Sequence, residues 1–70
     1  MDKRTAVVCR SVDRFHRWLR RDMVVATYDC YHCVITYRDV VGMEFRDMLV
    51  LENVDDPELL NLTKARVRPR

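Results

Sequence analysis

Glycine is almost missing from this chain of 70 residues: there is one, Gly42, alongside two prolines. A phosphate-binding loop of the G-x-x-x-x-G-K-[ST] kind needs two glycines, so nucleotide hydrolysis by that device is excluded. Long apolar runs are missing too. The longest is four residues, as in AVVC (6–9) or MVVA (23–26), against the roughly 20 that span a bilayer. The basic opening MDKRTAVVCRSVDR has too short an apolar stretch for a signal-peptide core, so a cytoplasmic protein with no membrane association is expected. Cysteine is scarce and odd in number. Three thiols do not close a disulfide framework, and they fit a reducing compartment.

Apolar residues make up 49% of the chain and charged residues 34%, which places it among globular proteins rather than disordered ones. At this length one domain, residues 1–70, is expected, close to the smallest size that a single core stabilises unaided. Eleven of the 13 basic residues are arginine, the side chain suited to bidentate contact with carboxylate or phosphate. The net charge of +2 hides an uneven layout. Residues 1–21 carry +5, residues 22–58 carry −7 and residues 59–70 carry +4, so basic ends flank an acidic middle.

Local signals set the order of elements. TAVVC (Thr5–Cys9) is a β-branched run that predicts a buried strand. Ser11 follows as a helix N-cap with Asp13 in the first turn, and Val12, Phe15, Trp18 and Leu19 share one helical face, predicting a helix from about Val12 to Arg21. MVVATY (Met23–Tyr28) and CVITY (Cys33–Tyr37) both read as strands, either as a hairpin through Asp29–His32 or with one of them a connection. Gly42 marks a turn of positive φ, and DMLVLEN (Asp47–Asn53) a further strand. In DDPELLNLTKARV, Asp56 is the N-cap and Pro57 the first helical residue, with Lys64 and Arg66 near the negative end of the dipole. VRPR is expected to fray. The fold expected is a small α/β sandwich, strand–helix–strand (or hairpin)–strand–helix, with a sheet of three or four strands covered by two helices. Its core should contain Val7, Phe15, Trp18, Leu19, Val25, Val34, Leu49, Leu51, Leu59 and Leu62.

The passage VITYRDVVGMEFRDMLVLEN, with its strand, polar turn, Gly42-x-x-Phe45-x-Asp47 step and second strand, resembles the equivalent passage of helicase and terminase motor domains and small bacteriophage accessory proteins. The resemblance covers about twenty residues. It implies an α/β fold and a phage or prokaryotic setting, and no ATPase activity, because the phosphate loop and the second acid of a metal-binding strand are missing.

Two constellations bear on chemistry. Cys30 and Cys33 have C-x-x-C spacing with His32 between them, and Cys9 and His16 would complete four ligands for zinc. One such pair is a single half-site, and cysteines in apolar strands are usually free thiols, so no metal and no cofactor are expected. A Cys30 or Cys33 nucleophile with His16 or His32 as base would need a cleft that a domain this small hardly provides, and no enzyme activity is expected.

The basic helix carries the remaining signal. Arg10, Arg14, Arg17 and Arg21 are spaced to line one face, with Arg20 beside them; Arg66, Arg68 and Arg70 add a basic tail. The function expected is binding: a host or viral protein docking on this helix or on an open sheet edge. Nucleic acid held by the arginine stripe and tail is the alternative, and pairing of two copies a further one.

Overall fold

A computed structural model describes residues 4–22, 30–52 and 54–68. Strand β1 (Arg4–Val8) leads into helix α1 (Val12–Asp22); strand β2 (Tyr31–Val34), a 3-10 turn (Tyr37–Asp39), strand β3 (Phe45–Val50) and helix α2 (Pro57–Ala65) follow. The three strands form one sheet in the order β2-β1-β3, with both pairings parallel. The predicted strand Met23–Tyr28, with the core position Val25, lies outside the described residues.

Helix α1, the crossover between the parallel strands β1 and β2, covers one face of the sheet, and α2, which follows β3, covers the other. Alternate residues of β1 therefore enter two separate cores. Val7 and Cys9 pack with Phe15 and Leu19 of α1, while Ala6 and Val8 pack with Val34, Val40, Phe45 and Leu59 of the α2 side. This is why AVVC (6–9) is a continuous apolar run instead of an alternating one. The layers are helix, sheet, helix, as the expected α/β class requires.

Both helices begin as their sequences dictate. The Ser11 hydroxyl accepts the Arg14 N–H at 3.2 Å, and the Asp56 carboxylate accepts the Leu59 N–H at 3.1 Å ahead of Pro57. Each supplies an acceptor to a helix end that lacks one. In α2, Leu59 and Thr63 are buried one turn apart, and the buried Thr63 hydroxyl donates to the Leu59 carbonyl at 2.8 Å. Gly42 has φ +75° in the turn closed by Met43 N–H to Val40 O at 3.0 Å. A Cβ there would touch nothing within 4 Å, so the demand for glycine is purely conformational.

Several expectations need correction. CVITY is not a strand throughout: β2 ends at Val34, because the Asp39 carboxylate takes the N–H groups of Ile35 (2.9 Å) and Thr36 (3.0 Å) and turns the chain into the 3-10 segment. β3 starts at Phe45 rather than Asp47. Its register against β1 slips between Phe45 and Asp47, leaving Arg46 as the extra residue of a bulge. The slip lets Phe45 and Met48 share the α2 face, so no simple alternation marks the strand. The tail is tied down as far as Arg68. Val67 bridges Phe45 in parallel, with Phe45 N–H to Arg66 O at 2.9 Å and Arg68 N–H to Phe45 O at 2.7 Å. Two expected core residues are exposed, Leu49 at 38% and Leu62 at 47%. Leu49 faces the α1 side, but α1 packs chiefly over β1 and β2; Leu62 sits on the flank of α2 that borders the 3-10 turn, lining an open groove with Ile35, Thr36 and Tyr37.

Candidate binding groove beside helix α1

Helix α1 buries Phe15 and Leu19 and leaves Arg14, Arg17, Arg20 and Arg21 exposed. Trp18 lies between these two sets. It is partly buried, its ring edge-on to Tyr31 (5.2 Å between centroids, 81°) and offset-stacked with Phe15 (6.4 Å, 26°). Where the chain leaves β3, Val50, Leu51 and Glu52 come up against this edge of the helix. Arg14, Arg17, Trp18 and Arg21 on one wall, with Val50 to Glu52 on the other, enclose a groove of about 290 Å³. Three arginines and one glutamate line it, with the partly buried Trp18 and Leu51 as its apolar floor.

The groove lies at the carboxyl ends of the strands. From β1 the chain passes through α1 to β2 on one side, whereas β3 lies on the other side of β1. The chain leaves β1 into α1 on one face and leaves β3 into α2 on the other, which opens a crevice between these strand ends, the place where open α/β sheets hold ligands. A sequence reading limited to the helix misses Val50, Leu51 and Glu52. Only the parallel pairing of β1 with β3 brings them to α1.

The other candidate residues are distributed differently. Arg10 precedes the Ser11 cap and so stands outside the helix; the helical stripe is Arg14, Arg17 and Arg21, not four residues in line. Arg20 is exposed but does not line the groove. Arg66 and Arg68 bond through their backbones to Phe45, at the opposite end of β3 from Val50, a separation of roughly 17 Å at about 3.3 Å per residue. The Arg68 guanidinium donates to Ala65 O at 2.7 Å and Val67 O at 3.3 Å, closing the end of α2. Stripe and tail therefore do not form one continuous surface. Arg70 lies outside the described residues.

The cysteine and histidine candidates are also rearranged. Cys30 is exposed just before β2, and it is Cys9, not Cys30, that meets Cys33: their sulfurs are 3.4 Å apart. His32 and Cys33 are adjacent on a strand and point to opposite faces. His32 packs its ring on Phe45 (5.6 Å) and bonds through Nε2 to Asp39 O at 2.9 Å, while Cys33 lies under α1. They cannot act as nucleophile and base. His16 packs against Phe15 at 5.6 Å. Among the described residues no three His, Cys, Asp or Glu side chains converge to hold a metal ion. Nor is any described helix long and apolar enough to cross a membrane.

No family model, curated protein or solved structure matches this chain.

Proposed function

We propose that this protein is a binding module without catalytic activity, an accessory protein of phage or prokaryotic type, whose α1 groove takes an acidic segment of a host or viral protein partner. The observation that carries the reading is the groove itself: Arg14, Arg17 and Arg21 line it beside an apolar floor of Trp18 and Leu51. Each guanidinium offers a planar fork of donors to a carboxylate. The floor suits an apolar side chain between two acids. A volume of about 290 Å³ accommodates a few side chains, not a polymer backbone along its length. Glu52 on the far wall opposes a phosphate track, and the second basic cluster sits at the other end of β3, so a protein segment is favoured over nucleic acid.

Trp18 is the only tryptophan and lines the groove, which makes its fluorescence a direct reporter. The test is a titration with a synthetic peptide carrying a leucine flanked by glutamates, against oligothymidylate of matched charge over a range of salt. The expected result is a change of Trp18 emission with the peptide, weakened roughly 10- to 100-fold by Arg14→Glu or Arg17→Glu, as suits the loss of one charge-assisted contact of about 1.5–3 kcal/mol. Thermal melting should stay unchanged, because exposed charges contribute little to folding. Tighter binding of the oligonucleotide, with a steep salt dependence, would transfer the groove to nucleic acid. No response to either probe would remove it as a binding site.

A further inference from the structure

The strands bring together a pair of thiols that the groove does not use. Cys9 lies directly after β1, and its backbone N–H bonds to Val34 O at 2.9 Å, continuing the ladder toward β2. Cys33 lies within β2 on the same face. Their sulfurs stand 3.4 Å apart beneath Phe15 and Leu19 of α1; Cys9 is 2% exposed, and Cys33 is partly open to solvent. A disulfide needs about 2.05 Å, so roughly 1.4 Å remains to be closed.

We propose that Cys9 and Cys33 form an oxidisable dithiol, converted by a hydroperoxide into a disulfide that staples β1 to β2 under α1. The environment divides the roles. Either sulfur can donate across the 3.4 Å contact; with Cys33 as the donor, and with the Ser11 N–H also reaching the Cys9 sulfur at the start of α1, the Cys9 thiol is drawn below its ordinary pKa and Cys33 is held well above it. A thiolate at a helix N-terminus is the reactive form of cysteine. The Cys9 thiolate attacks one oxygen of the peroxide; the O–O bond breaks, Cys9 becomes a sulfenic acid, and the departing hydroxide takes the Cys33 proton to form water. The Cys33 thiolate then attacks the Cys9 sulfur, forming the S–S bond and expelling hydroxide, which is protonated by solvent. Both electrons leave the two sulfurs and reduce one peroxide. Cys30, exposed ahead of β2, takes no part.

The test uses the reduced full chain, treated with one equivalent of hydrogen peroxide near neutral pH, then denatured, alkylated and peptide-mapped. The expected product retains one alkylatable thiol, Cys30, and carries a Cys9–Cys33 bridge. Its Tm should be higher by about 10 °C, as closing a loop of this size in a small domain implies, and dithiothreitol should reverse the shift. Cys30→Ser should behave identically. Cys33→Ser should instead leave a sulfenic acid on Cys9 that dimedone traps. Three alkylatable thiols after peroxide, a bridge that includes Cys30, or a bridge that leaves Tm unchanged or lower would each overturn the proposal.

Discussion

Truncating Phe45 to alanine tests the two-core architecture at its most heavily used position. Phe45 is fully buried on the α2 side, packs on His32, and anchors the end of the chain through its backbone bonds to Arg66 and Arg68. The backbone bonds survive the substitution, so the cost is the ring: lost transfer energy plus the cavity left behind, about 3–5 kcal/mol. A chain of this length has a total stability of roughly 4–10 kcal/mol. Phe45→Ala should therefore remove about a third of it or more, and Phe45→Leu less than about 1.5 kcal/mol. Urea denaturation followed by Trp18 fluorescence reads this directly, because Trp18 reports from the other side of the sheet. Phe15 lies in that other core. The double variant Phe15→Leu with Phe45→Leu should then show costs that add to within about 0.5 kcal/mol, as expected of sites that share no contacts. A loss below about 1.5 kcal/mol for Phe45→Ala, or strong coupling between the two phenylalanines, would refute two cores divided by one sheet.

Two further outcomes follow from particular side chains. Leu62 is 47% exposed and Leu59 is 5% exposed on the same helix, so Leu62→Lys should change stability by no more than about 0.5 kcal/mol while Leu59→Ala costs about 2–5 kcal/mol, both read by chemical denaturation. The thiol pair predicts a stability maximum in pH. Cys9 has a lowered folded pKa, so below about 8.5, the unfolded value, the unfolded chain holds the extra proton and stability rises with pH. Cys33 has a raised one, through its hydrogen bond to Cys9, its burial and, least of all, the nearby Asp39 carboxylate. Above about 8.5 the folded chain keeps a proton that the unfolded chain loses, and stability falls by up to about 1.4 kcal/mol per pH unit. Cys33→Ser should abolish the alkaline decline; its persistence in that variant would refute the assignment.

Local chemistry made some of these elements legible in the sequence. Asp56 and Pro57 announce α2, Ser11 announces α1, and the β-branched run from Thr5 announces β1, because each signal acts within a few residues of itself. Where a partner lies far along the chain, local reading fails. The bulge at Arg46 erases the alternation that would reveal Phe45 as part of β3, and Asp39 overrides the strand preference of Ile35 and Thr36 by capturing their N–H groups. The arginine stripe was readable from helical spacing, although Arg10 falls outside it because the cap comes at Ser11. The wall facing that stripe and the meeting of Cys9 with Cys33 are products of strand order, on which spacing is silent.

The central position of β1 also bears on how the chain finds its structure. Thr5 pairs with Tyr31 on one side and with Asp47 on the other, and no hairpin among the described residues joins any two of the strands. Neither core can close before a distant segment has returned to β1, so each pairing pays its loop-closure entropy before burial rewards it. Helix α1 can form early from its own caps and spacing, but the surface it covers is complete only when β2 arrives with Tyr31 and Cys33. Folding of this small chain should accordingly be slow for its size, in milliseconds to seconds rather than microseconds, with a transition state centred on β1. Until that moment its apolar AVVC segment has both edges bare, and it is the stretch from which association between partly folded chains would start.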